Sequence, residues 1–323
     1  MRAPFVLLAA LAPMLLMPPA GLGAQVGVPS NEPLNAAVAA RSGIFAPAIL
    51  VPERRWTLAV RGEYGSAIER SVHTATRYLL DAELLRVQLT AVRGVGHHTF
   101  VLAQAGVTGA WAGFADGFFD GYHQVIGFVM PERDARPRDE YAYGLHLPEQ
   151  NIAWSQPART LALGDVRLGA GWRPSESAQT MVSVTLPTAS RAAPFGRGTV
   201  TASVAQSLRA RLGTRAALEG GATVGFAPRT GPLRPIQRQW TALGSLGVEV
   251  QVTRRLAGYT TLLVHSAAYD HTGLSELDGS AWIADVGMLL GTPGRRRWHV
   301  AIAEDLRRND AGLDLVLKVG TGF

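Results

Sequence analysis

The 323-residue sequence predicts an all-β protein, a transmembrane antiparallel up-and-down β-barrel of about 12 strands with long extracellular loops. Three observations predict it. Apolar and polar residues alternate with period two through successive segments, and helical periodicity is nearly absent. Many of these segments run to about 12 residues, longer than the ~5–6 usual in soluble sheets and enough for the ~9–11 that a tilted strand needs to cross a bilayer. The connections alternate short and long, as tight periplasmic turns and larger outer loops do.

Residues 1–24 combine Arg2, an apolar run from Phe5 to Met17 and the small-residue end Leu22-Gly23-Ala24, which predicts a secretory signal peptide. Residues 25–53 are rich in Pro, Ala and Asn without period and are expected to form a periplasmic N-terminal segment. The barrel is expected over 54–323. Its strands are predicted near 54–65, 82–94, 98–111, 162–173, 178–188, 198–211, 214–227, 238–253, 256–267, 280–291, 297–304 and 312–323. "WTLAVRGEY" sets Trp56, Leu58, Val60 and Tyr64 against Thr57, Arg61 and Glu63. "LLRVQLTAV" and "DVRLGAGW" repeat the pattern around Arg86 and Arg167. Short turns such as "GVGH", "LGT" and "TRRL" follow the even-numbered strands, and the largest loop, 112–161, follows the third.

Facing the lumen, the alternation puts Arg61, Glu63, Arg86, Arg167, Glu219, Glu249, Asp285 and Lys318. Four are positive and four negative, without the single-sign ring that gives ion selectivity. Aromatics test the topology independently. Trp56, Trp172, Trp298 and Phe323 fall at predicted periplasmic strand ends, and Tyr64, Phe226, Trp240 and Trp282 at outer ends, as membrane-interface anchors in two girdles should.

The last strand, "GLDLVLKVGTGF", must pair with the first, because an open edge in hydrocarbon leaves backbone groups unsatisfied at several kcal/mol each. Ending on an apolar-alternating strand with terminal Phe323 resembles the insertion signal read by the outer-membrane barrel assembly machinery. The expected location is therefore the bacterial outer membrane, with both termini periplasmic and outer-membrane lipid as partner. The chain has no Cys, so no disulfide framework supports it. Its net charge of +6 comes from scattered Arg, with no basic, aromatic-interleaved run that would mark a nucleic-acid partner. Arg254-Arg255 and Arg295-Arg296-Arg297 are expected in solvated turns. No cofactor or metal is expected.

The stretch "GFADGFFDGYHQVIGFVMPERDARPRD", residues 113–139, resembles a motif of a family of Gram-negative outer-membrane proteins known only as a domain of unknown function. Gly117, Phe118, Asp120, Gly121, Tyr122 and His123 occupy its first part. Gly127, Phe128, Pro131, Arg133 and Asp134 approximate the second, with one additional residue before the proline. "GDVRLGAGW", "LPTAS", "HSAAYD" and "AIAEDL" sit where the family has similar stretches, over roughly residues 41–323. The resemblance implies fold and location and leaves activity open.

Candidate chemistry is sparse. Asp120 and His123 of the loop motif could be a general-base pair or half of a metal site, against a reading in which they only fold their own loop; two ligand types without a third point weakly to either chemistry. His265, Ser266, Asp270, His271 and Ser275 could serve a rim lipid hydrolase, though no Gly-x-Ser-x-Gly elbow is present. The expected function is passive transport or binding of a small solute through a narrow polar lumen gated by the 112–161 loop, whose Trp111, Phe114, Phe118, Phe119 and Phe128 could fold inward or touch lipid. The alternatives are the rim hydrolase and a non-conducting structural or surface barrel.

Overall fold

A strand with alternate apolar side chains can present them all to one face, and a sheet of such strands closed on itself leaves no unpaired backbone edge. The computed structural model of the chain describes residues 43–44, 56–73, 75–127, 136–190, 193–291, 297–306 and 315–322. The signal peptide and Phe323 lie outside the described residues. Within them run β1 (Thr57–His73), β2 (Thr76–Gly94), β3 (Thr99–Trp111), α1 (Asp116–Ile126), β4 (Ala142–Leu147), β5 (Ile152–Ser155), β6 (Arg159–Leu163), β7 (Val166–Ser175) and β8 (Ala178–Leu186). There follow β9 (Thr201–Leu212), β10 (Ala216–Phe226), β11 (Trp240–Thr253), β12 (Leu256–His265), α2 (Ser275–Asp278), β13 (Ala281–Leu290), β14 (Arg297–Asp305) and β15 (Leu315–Gly322).

All pairings are antiparallel between neighbours, β15 pairs with β1, and β2–β3 completes the circuit. β6 and β7 are two lengths of one wall strand along β3, while β4 and β5 stand on the upper end of β2 at Arg77–Asp81. The result is a closed antiparallel barrel of twelve strands, the fold of an outer-membrane barrel. Short turns gather at one end (the turn end) and long connections at the other (the loop end).

Two predicted elements differ from this structure. The loop expected over 66–81 is instead a hairpin: β1 and β2 stay paired from Thr57↔Val92 to His73↔Thr76 and rise above the rim. Its apolar side chains Ile68, Tyr78 and Leu80 are buried, so packing holds an extension that broken alternation concealed. The strand expected over 162–173 is interrupted. Between Gln104↔Arg167 and Val107↔Leu163, β3 advances three residues while its partner advances four. This is a β-bulge at Gly164–Asp165, and it turns the Asp165 side chain inward.

Candidate functional site

Arg61 and Glu63 point into the barrel, so β1 residues of the other parity point out. The interior has two halves. From the waist to the turn end, polar side chains of the wall fill it. Glu63 is bridged by Arg61 at 2.6 Å and accepts a hydrogen bond from Arg86 Nε at 2.6 Å. Lys318 Nζ donates to Asp285 at 2.6 Å, and Arg167 donates to Thr185 at 3.0 Å and Gln104 at 2.8 Å. Glu249, wholly buried, lies between Arg209 (3.0 Å) and Arg297 (3.4 Å). Arg209 also pairs with Glu219 across β9–β10, and Arg297 donates to Gln251 at 3.0 Å. Arg297 is therefore no solvated turn residue. It opens β14 with its side chain inward, 1% exposed.

Toward the loop end the filling is apolar and is shared between strands and loops. Phe195 of the β8–β9 connection, Leu233 and Ile236 of β10–β11, and Tyr269, Leu274 and Leu277 of β12–β13 form one cluster with Tyr78, Leu80 and Leu84 of β2 and Tyr143, Leu145 and Leu147 of β4. The loops are bound to each other by backbone: Arg238 N donates to Ala268 O at 2.9 Å and Asp270 N to Ile236 O at 2.8 Å. Asp165, on the bulge, accepts from Ala189 N at 2.9 Å and Arg197 N at 2.8 Å, which draws the β8–β9 connection into the bore. Gly43 and Ile44 also lie inside. Ile44 is fully buried against Leu243 and Leu263, and a Cβ on Gly225 would collide with Gly43. These two residues belong to the segment expected over 25–53, the rest of which lies outside the described residues.

Trp111, Phe114, Phe118 and Phe119 do not enter the bore, whereas Tyr143 of β4 belongs to the inner cluster, and Phe128 lies outside the described residues. Tyr64 is on the outward face of β1, and the rings of Trp111, Phe114 and Phe119 lie 5.9, 6.0 and 6.3 Å from it. Phe114 and Ala115 donate backbone N–H groups to Glu83, an outward residue of β2, and Tyr122 donates to Glu304 on the outward face of β14 at 3.2 Å. α1 thus crosses the outside of the wall near the loop end, closed at its C-terminus by Gly127 in a left-handed conformation. Burial, and then the Glu304 carboxylate, push the Tyr122 phenol up to about 12. Ser66, Ile68 and Leu315, on that same outward face, are buried there, while Phe114, Phe118 and Val125 are exposed. At that level the bore is occupied by the loop-end cluster.

The loop motif separates on α1. Asp120 is bridged by Arg138 at 2.9 Å, His123 is buried on the packed face with Phe119, Phe118 faces away, and Gly121 leaves open space. Among the described residues no group of three or more His, Cys, Asp or Glu could hold a metal. The hydrolase set does not converge either. His265 Nδ1 turns to the Ser266 carbonyl at 3.1 Å, and Ser266 Oγ accepts from Ala242 N.

The described residues expected as anchors lie on the wall's outside. Trp56, Trp172 and Trp298 are exposed near the turn end, Trp240 near the loop end with Phe226 at 4.9 Å, and Trp282 is half-buried. Sequence reasoning missed Arg209, Arg297, Gln104 and Asp165. Inward alternation of Ser203, Ser207 and Arg209 on β9 was a usable signal for the first, and Asp165 shares the polar face of its strand with Arg167, two residues on.

The family model described as "Protein of unknown function (DUF3187)" matches residues 69–323. No curated protein matches. Among solved structures, the chain is similar to the COG4313 outer membrane channel from Pseudomonas putida F1, with TM-score 0.51 and 12% identity over 84% of this chain and 96% of that one. It is also similar to the NanC porin, with TM-score 0.47 and 8% identity over 83% and 99% of the two chains.

Proposed function

The chain belongs to the DUF3187 family of proteins of unknown function, and from that premise we propose that it is a transport barrel. It binds a small solute and passes it through a narrow polar lumen, and the loops between β8–β9, β10–β11 and β12–β13 close the outer side. One observation carries this reading. The waist and turn half are lined by hydrogen-bonding side chains held by the wall, while the apolar closure opposite is completed by loops packed on strand side chains, and those loops can move without opening the sheet. A barrel whose only task is structural has no need of that division, since wall side chains alone can fill a narrow bore. The likeness to outer-membrane channels supports the fold on which this rests.

The test is reconstitution of the mature chain in planar bilayers and in liposomes loaded for swelling assays. Discrete conductance steps, with swelling by small polar solutes, are the expected result. Silence in both assays, also from a variant with residues 268–277 replaced by a short Gly-Ser linker, would overturn the proposal.

A further inference from the structure

Backbone hydrogen bonds tie the short turns into one arc around the turn end. Arg173 N donates to His98 O at 2.6 Å, Arg209 N to Ser177 O at 2.8 Å, Gln251 N to Arg215 O at 2.7 Å and Gly291 N to Arg255 O at 2.8 Å. The arc is basic. Its turns carry Arg215, Arg254 and Arg255, and the sequence between β13 and β14 adds Arg295 and Arg296. The flanking strand ends supply Arg93, Arg173 and Arg211. Across the same stretches, 93–98, 173–177, 211–215, 253–255 and 291–296, the one acidic residue in the sequence is Glu176, and Arg211 pairs with it at 3.3 Å. Arg254 and Arg255 are exposed, with no side-chain partner among the described residues, and the Nε of Arg173 is buried without one. Beside the arc the outside of the wall is apolar: Trp172, Leu208, Leu212, Leu290 and Trp298 are all exposed there, and the Arg93 guanidinium lies 6.0 Å from the centre of the Trp56 ring.

Guanidiniums match the oxygens of a phosphate, and an exposed apolar band below an aromatic girdle matches acyl chains. A free anion would meet only the first feature and a neutral lipid only the second. The surplus of positive charge selects further, because an ammonium on a zwitterionic headgroup would face the same arginines, whereas a net negative surface attracts them. We infer that the turn-end arc binds anionic phospholipid, with headgroup phosphates at the turn arginines and acyl chains along the tryptophans and leucines beside them. This inference stands apart from the transport reading.

Native mass spectrometry of the whole chain, released from nanodiscs of equimolar phosphatidylglycerol and phosphatidylcholine, tests it through the lipid that stays bound. Phosphatidylglycerol should be retained over phosphatidylcholine at least about fivefold. The double variant Arg254→Gln/Arg255→Gln should lower that ratio at least about threefold. The pair Arg77→Gln/Arg159→Gln, two exposed arginines at the loop end, should leave it unchanged. Heat-modifiable gel migration verifies that both variants form the barrel. Should the first fail to fold, the parent decides, since a preference set by exposed charge must fall when the nanodiscs are equilibrated at rising salt. Equal retention of the two lipids, a ratio indifferent to salt, or an equal fall in both variants would overturn the inference. Retention of lipid A in preference to phosphatidylglycerol, when nanodiscs offer both, would overturn it too.

Discussion

At the turn end, Glu249 of β11 sits between Arg209 of β9 and Arg297 of β14, so three wall strands meet through one carboxylate. At the loop end, Tyr269 sits among Leu233, Ile236, Leu274 and Leu277, all on connections between strands. Both sets of side chains are buried, yet they differ in what holds them. The ionic one is anchored to a sheet closed on itself, so it can loosen only if the wall does. The apolar one is anchored to loops, whose local opening costs less than global unfolding. The comparison teaches that a barrel can be stable and openable at once by giving the two duties to different chemistry.

The largest effect should come from the ionic half. Glu249→Leu removes the carboxylate and leaves two buried guanidiniums facing each other, at a cost of about 3–5 kcal/mol. Heat-modifiable gel migration and urea unfolding followed by circular dichroism should both show the loss. The double variant Glu249→Leu/Arg209→Leu should recover part of it, because one buried charge goes with its partner. A single variant as stable as the parent would break the comparison, since the polar half would then be as slack as the loops.

Tyr269→Ala acts on the other half. Truncating a buried aromatic ordinarily costs about 3–5 kcal/mol, but in a loop-held cluster much of it should appear as local opening. Even about 2 kcal/mol of local destabilisation multiplies the open population roughly thirtyfold. The expected result is raised conductance in planar bilayers with little change in the urea midpoint. A lowered midpoint with unchanged conductance would show that the loops are part of the rigid wall.

How much of this division could be read in advance depended on whether its signal was local. The wall strands were legible because lipid outside and polar filling inside impose strict alternation, and Glu63, Glu249, Asp285 and Lys318 stood out as charges on otherwise regular strands. The closure was not legible, because Leu233, Tyr269 and Leu277 belong to stretches without period and meet only through tertiary packing. Arg297 was hidden by its neighbours, since a run of three arginines reads as a solvated turn until the register of β14 against β13 turns the third inward. The 112–161 loop left two readings open in sequence, aromatics folded inward or turned to lipid, because nothing local fixes where a loop packs. Trp111, Phe114 and Phe119 lie by Tyr64 on the outward face of β1, while Tyr143 joins the inner cluster.

That last point makes the smallest prediction the sharpest test of which elements close the bore. α1 buries Asp116, Phe119 and His123 toward the wall and leaves Phe118 58% and Val125 88% exposed. A residue on the far side of a helix outside the barrel cannot narrow the lumen. Phe118→Ser should therefore leave conductance unchanged and stability within about 0.5 kcal/mol, the range of ordinary surface substitutions. Its companion, Phe118→Trp, should fluoresce with quenching by lipid brominated near the headgroup, because an exposed aromatic on the outside of the wall near the loop end is expected at the membrane interface. Raised conductance in Phe118→Ser would return α1 to the gate and remove the contrast between loop closure and wall, since an external helix would then be acting through the sheet itself.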